Sequence, residues 1–218
     1  MRTLRQVATA ALLTLGAGAC SLVEGVAAPA GTAAPSSPAP SFPPAVTFTD
    51  VAQGCELLDP ETLAKYAPGA DCRPDPEDDR RTQNEHQVPI LQRGPRWAPG
   101  GGPPEGEFSG VIDVHLKVNQ DTFTEFKENA HRSVSGGALI DGEPVAGVGD
   151  EAALYYAIGD GQGYNLDRTT GIMVSRWGNA TLRVIYWHYK AKSDRNPSER
   201  QMRKALTAIT RDVYDDLS

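Results

Sequence analysis

The chain has 218 residues, 39% of them hydrophobic, and a formal charge of −7. Without Arg2 and Arg5, which belong to an N-terminal leader, 19 basic side chains stand against 28 acidic ones, a net of −9; such a surface disfavours nucleic-acid phosphate backbones. Apart from one short N-terminal run, no stretch approaches the ~18 apolar residues of a membrane span, and the roughly 165–170 residues behind the leader and linker suffice for one domain with a core.

Arg2 and Arg5 form a positive n-region and residues 7–15 an apolar run of signal-peptide length, so residues 1–19 read as an export signal rather than a buried first helix. Two processing enzymes fit the junction at residues 17–20. Ala17-Gly18-Ala19 satisfies the small-x-small rule of an ordinary signal peptidase. Gly18-Ala19-Cys20 resembles the lipobox of bacterial lipoproteins, with Ala17 where Leu is usual. In that case the Cys20 thiol becomes a thioether to diacylglycerol, with palmitate-type acyl chains, and the residue becomes the new N-terminus. Cysteine parity favours lipidation. An exported protein meets an oxidising compartment, where an odd thiol needs a fate. Cys55 and Cys72 bracket a predicted helix and are expected to pair, closing a loop of about 17 residues and stabilising by on the order of 3 kcal/mol on the chain-entropy model. Cys20 is then left for the lipid. With no C-x-x-C or H-x-x-x-H nearby, a metal site on the pair is not expected.

Residues 20–47 read as the lipidated cysteine and a tether behind it. From Ser21 to Val46 the chain is almost all Ala, Pro, Ser, Gly and Thr, which cannot bury a core. Extended, it would span up to roughly 80 Å at about 3.1 Å per residue. Its Ser and Thr residues beside prolines fit either glycosylation or a bare spacer. Fifteen arginines against six lysines, with abundant Ala, Gly and Pro, fit a GC-rich actinobacterial coding bias.

The globular body is expected over 48–218. Asp59 as N-cap, Pro60 at the first helical position and Pro68 as a stop predict a short helix over 60–67, with Leu57, Leu58, Leu63 and Tyr66 giving apolar contacts. Next, "DCRPDPEDDRRTQNEH" reads as charged and irregular, and "RGPRWAPGGGPPEGEF" as too rich in Pro and Gly to hold structure. In "GVIDVHLKVN", Ile112, Val114, Leu116 and Val118 alternate with Asp113, His115 and Lys117, the pattern of a half-buried strand. A helix comes after it, with a Thr122/Glu125 capping box, a Phe123, Phe126, Ala130 stripe and an end at Gly136-Gly137. "DEAALYYAIG" alternates again. "GIMVSRW-GN-ATLRVIYWHY" is a hairpin with a Gly178-Asn179 turn, which sets Trp177 opposite Ala180, Ser175 opposite Leu182 and Met173 opposite Val184. The other face then pairs Arg176 with Thr181, Val174 with Arg183 and Ile172 with Ile185. The last helix starts at "NPSE", with Asn196 as cap, Pro197 first and Glu199 closing a box. Its stripe is Met202, Leu206, Ile209, Val213 and Leu217. Its charges oppose the helix dipole, so packing must hold it. The order predicts a single α+β domain: a mainly antiparallel sheet with a long C-terminal helix and one or two further helices packed on it.

The leader, the tether, "GCELLDPETLAKY" with a second cysteine soon after, "PVAGVGDEAAL" and "VSRWGNATLRV" together resemble the actinobacterial envelope lipoproteins grouped as domain of unknown function 3558. Cys55, Leu57 and Leu58 match the family's Cys-x-Leu-Leu start, and Gly147, Gly149, Asp150 and Ala152 its "GxGDxA" segment. The resemblance covers roughly residues 50 to 217 and implies an extracytoplasmic, lipid-anchored location and this kind of fold; it brings no catalytic residues.

The chemistry in the sequence is sparse. "IGDGQGYN" precedes strand-like sequence rather than a helix, so it reads as a hairpin loop and not a phosphate cradle. His86, His115, His131 and His188 lack metal-ligand spacing, and no G-x-S-x-G or S-x-x-K appears. The Asn179-Ala180-Thr181 sequon reads as the hairpin turn. One constellation stands out: His115, Arg176, Arg183 and Trp187 are expected on one sheet face, a surface suited to an anionic, glycan or protein ligand; the bland alternatives are the wet side of the sheet or a helix covering it. The expectation is a monomeric, non-enzymatic envelope binding module on the outer face of the cell membrane, held there through Cys20, or secreted if Cys20 is not lipidated. No cofactor, metal or nucleic acid is expected. The alternatives are an envelope enzyme, a hydrolase first of all, and an accessory or sensor domain of a transport or signalling system.

Overall fold

The computed structural model describes residues 46–74, 80–83, 89–99, 109–160, 166–191 and 195–217. The leader, Cys20 and the tether up to residue 45 lie outside the described residues, as do His86, Gly161 and Gly163. The described chain is α+β, with nine strands in one antiparallel sheet and three α-helices. In chain order these are α1 (Pro60–Tyr66), β1 (Ala70–Arg73), β2 (Arg80–Gln83), β3 (Pro89–Arg93), β4 (Arg96–Pro99), β5 (Ser109–Val118), α2 (Phe123–Val134), β6 (Ala138–Pro144), β7 (Glu151–Asp160), β8 (Leu166–Trp177), β9 (Ala180–Ala191) and α3 (Glu199–Asp215). The strands run β1-β4-β5-β9-β8-β7-β6, and β3 joins β5 beyond the end of β4, with β2 on its outer side.

The hairpin forms in the expected register, including Trp177 opposite Ala180, Met173 opposite Val184 and Val174 opposite Arg183. Gly178 has φ +55° while Asn179 does not turn positive, the type II′ arrangement that matches strand twist. A Cβ on Gly178 would fall 1.7 Å from the Val46 carbonyl oxygen. That close approach is how the hairpin tip receives the start of the body. The Asn179 side chain fixes it, accepting from Phe48 N–H (2.7 Å) and donating to Phe48 O (2.9 Å). The Phe48 ring meets Trp177 edge-on, and Trp177 meets Tyr214 in the same way.

Both sheet faces are covered, to different extents. On the first, Met202, Leu206, Ile209, Val213 and Leu217 of the predicted stripe are all buried, against Met173, Leu182 and Val184 of the hairpin and Ile112, Val114 and Leu116 of β5. On the second, Phe123, Phe126, Ala130 and Val134 of α2 cover Ala153, Tyr155, Ile172, Val174 and Ile185. So β7 and β8 are buried on both sides, whereas the second face of β5, β4 and β1 lies beyond α2. The opposed charges of α3 find local partners: Arg203 pairs with Glu143 and Glu199, and the Asp212 carboxylate accepts Asp59 N–H at 2.9 Å. Burial raises the Asp212 pKa despite that bond.

Four sequence expectations are corrected. Residues 70–73, 80–83 and 96–99 are strands rather than irregular chain, and Trp97 is only 1% exposed. The Thr122/Glu125 box does not form; Asp121 Oδ1 accepts Phe123 N–H instead, one residue earlier. Asp59 stands at the cap of α1 but its side chain makes no capping bond. The α3 box belongs to Ser198 and Gln201 rather than Asn196 and Glu199. Asn196 Oδ1 accepts the Thr169 hydroxyl and Pro197 O the Tyr156 hydroxyl, so the two-residue approach is tied to the sheet before the helix begins.

Candidate functional site

Residues directly opposite in antiparallel strands share a face, so register alone assembles the second face. One row reads Arg73, Arg96, Asp113, Ile185, Ile172 and Tyr155. The adjacent rows carry His115, Arg183 and Val174 on one side and Val111, Trp187 and Thr170 on the other. The structure therefore brings His115, Arg176, Arg183 and Trp187 to one face, as their alternation requires.

They do not have equal access to a ligand. Arg176 is tied at the edge of α2, pairing with Glu151 (3.1 Å) and Asp121 (3.7 Å) over the Phe123 ring. Arg183 lies 5.0 Å over the Phe126 ring, with Lys117 on the same ring at 5.7 Å. Trp187 packs at the margin of the α2 cluster and carries the Arg96 guanidinium 5.1 Å from its ring centre. His115 Nε2 sits 3.4 Å from Asp113 Oδ1. Beyond α2 the second face thus presents Arg73 and Arg96 with Trp187, Lys117 and Arg183 at the α2 margin, and two carboxylates, Asp71 two residues from Arg73 on β1 and Asp113 directly opposite Arg96.

Arg73 and Arg96 are the residues that sequence reasoning missed. Both are exposed, and they stand directly opposite each other. Like charges in that position are destabilising, yet no acidic side chain of the described residues forms an ion pair with either. A faint signal existed in the period-2 reading of "CR" and "RW": Cys72 and Trp97 point to the core, so their neighbours point to the other face.

Family models, curated proteins and solved structures give no match to this chain. Local geometry therefore carries the reading. Among the described residues no group of three or more His, Cys, Asp and Glu side chains is placed to hold a metal ion, and no helix is long and apolar enough to cross a membrane. His131 and Asp141 form a dyad (2.7 Å) where α2 meets β6, but no Ser, Thr or Cys of the described residues lines its shallow depression. Ser133 and Ser135 nearby direct their hydroxyls to the Asn129 and Arg132 carbonyls.

The segments that resemble the envelope lipoproteins have structural roles. Leu57 and Leu58 are buried, and Cys55 is disulfide-bonded to Cys72 with the Cα atoms 5.7 Å apart. In "GVGD", Gly147 and Gly149 take positive φ, and Asp150 accepts Gly178 N–H at 2.7 Å. That turn holds the hairpin tip.

Proposed function

We propose that this chain is an actinobacterial envelope lipoprotein, anchored outside the cytoplasmic membrane through Cys20, whose body is a non-enzymatic binding module for an acidic polymer of the envelope. The observation that carries the ligand class is the exposed Arg73–Arg96 pair, with Arg96 over Trp187, on a body of net charge −8. Two arginines directly opposite each other on neighbouring strands cost stability in the free protein, and an anionic ligand reverses that cost. Placement supports it as well. Trp187 lies eight residues along β9 from Asn179, about 26 Å at 3.3 Å per residue, so the basic surface is well separated from the tip that clasps Phe48 at the tether's end.

The full protein, isolated from an actinobacterial host, is expected to carry a diacylglyceryl thioether on Cys20 by mass spectrometry; an unmodified thiol there would remove the anchor. On immobilised polygalacturonate at low salt it is expected to be retained. Arg73→Glu/Arg96→Glu is expected to weaken retention at least tenfold while leaving the circular dichroism spectrum unchanged. Unaltered retention would show that this face is only the wet side of the sheet. Trp187→Ala is a poorer probe, because Trp187 also packs against the α2 cluster.

A further inference from the structure

A second concavity lies on the opposite face, where the end of β9 meets the approach to α3. It is an open cleft of ≈ 540 Å³, within the range of small-molecule sites. Tyr66 and Tyr186 form its wall, with ring centres 6.3 Å apart and nearly perpendicular, and Arg195, Asn196 and Gln201 stand at its rim.

His188 also lines the cleft, its ring edge-on to that of Tyr186. Four acceptors around the cleft are taken: Tyr66 O by the Tyr186 hydroxyl, Pro197 O by the Tyr156 hydroxyl, Asn196 Oδ1 by Thr169, and Gln201 Oε1 by Ser198 N–H. The last of these is a backbone donor, so it fixes the orientation of the Gln201 amide and leaves Nε2 as the free end. The donors remain. The Tyr66 hydroxyl oxygen is buried without a hydrogen-bond partner, and Arg195 makes neither an ion pair nor a hydrogen bond among the described residues. No Asp or Glu of the described residues lines the cleft.

A buried hydroxyl without a partner is costly, and a cleft that offers a guanidinium and amide and hydroxyl donors with no carboxylate among its described lining residues suits an anion. We infer that this cleft binds a small organic oxyanion, a carboxylate or phosphate carried on a ring that packs against Tyr66 and Tyr186, with Arg195 holding the charge and the Tyr66 hydroxyl and Gln201 amide donating to it. Tyr186 serves only as wall: burial holds its hydroxyl far above the ordinary tyrosine range, so it stays neutral and bonded to Tyr66 O.

The full chain with its disulfide intact, titrated by calorimetry with glucuronate and with glucose 6-phosphate, is expected to bind at least one of them saturably and to ignore glucose. The comparison of the two acids tells carboxylate from phosphate. Arg195→Ala is expected to weaken binding at least tenfold and Tyr66→Phe about threefold to tenfold, both without loss of polygalacturonate retention. Arg73→Glu/Arg96→Glu is expected to leave sugar-acid binding intact, so failure at either site is told apart from failure at the other. The inference is overturned if neither acid binds saturably, if glucose binds equally well, or if Arg195→Ala keeps full affinity.

Discussion

Trp97→Ala is expected to lower the unfolding free energy by about 3–5 kcal/mol, the range for deleting a buried indole. Trp97 is 1% exposed and is among the largest fully buried side chains. Its strand, β4, has only four residues, so pairing with β5 through Arg96 and Trp97 is brief. The indole supplies what the short ladder lacks. It packs in the first-face core with Leu57, Leu58 and Ile112 and stands opposite Cys72. Urea unfolding monitored by far-UV circular dichroism should show a lower midpoint with an unchanged slope. A cost below about 1 kcal/mol would mean that β1 and β4 are not part of the cooperative core.

That residue also marks where sequence reading ran out. The hairpin was legible because β8 and β9 are each 12 residues long, alternate cleanly and meet at a two-residue turn. The α3 stripe was legible because five apolar residues recur at helical spacing on an otherwise polar helix. By contrast, β1, β2 and β4 have four residues each, too few for a period to rise above their charged and proline-rich surroundings. Caps were misplaced by one or two residues because several Asp, Ser, Thr and Asn side chains compete at each helix start, and tertiary bonds to Thr169 and Tyr156 decided the contest at α3. The candidate ligand face divides in the same way. Local alternation put His115, Arg183 and Trp187 on one side, but Arg73 and Arg96 join them only through pairing between strands remote in sequence. The cleft at Arg195 was out of reach for the same reason, since Tyr66 and Tyr186 meet across 120 residues.

Cys55→Ser/Cys72→Ser is expected to destabilise the body by on the order of 3 kcal/mol on the chain-entropy model, lowering the melting temperature by about 6–12 °C for a domain of this size. The bond joins residues 17 apart and closes a loop that contains α1. No residue of α1 is itself buried, and its apolar packing rests on the half-buried Leu63 and Tyr66. The same bond secures β1, a four-residue strand at the sheet edge that pairs with β4 alone among the described strands. Arg73 is the residue after Cys72 on that strand. Losing the bond should therefore weaken polygalacturonate retention as well as stability, because a fraying β1 carries Arg73 away from Arg96. A double-mutant cycle separates the two effects. If the disulfide acts on binding by positioning Arg73, its removal weakens wild-type retention but adds nothing once Arg73 is Glu. Equal weakening in both backgrounds would place its role in global stability alone.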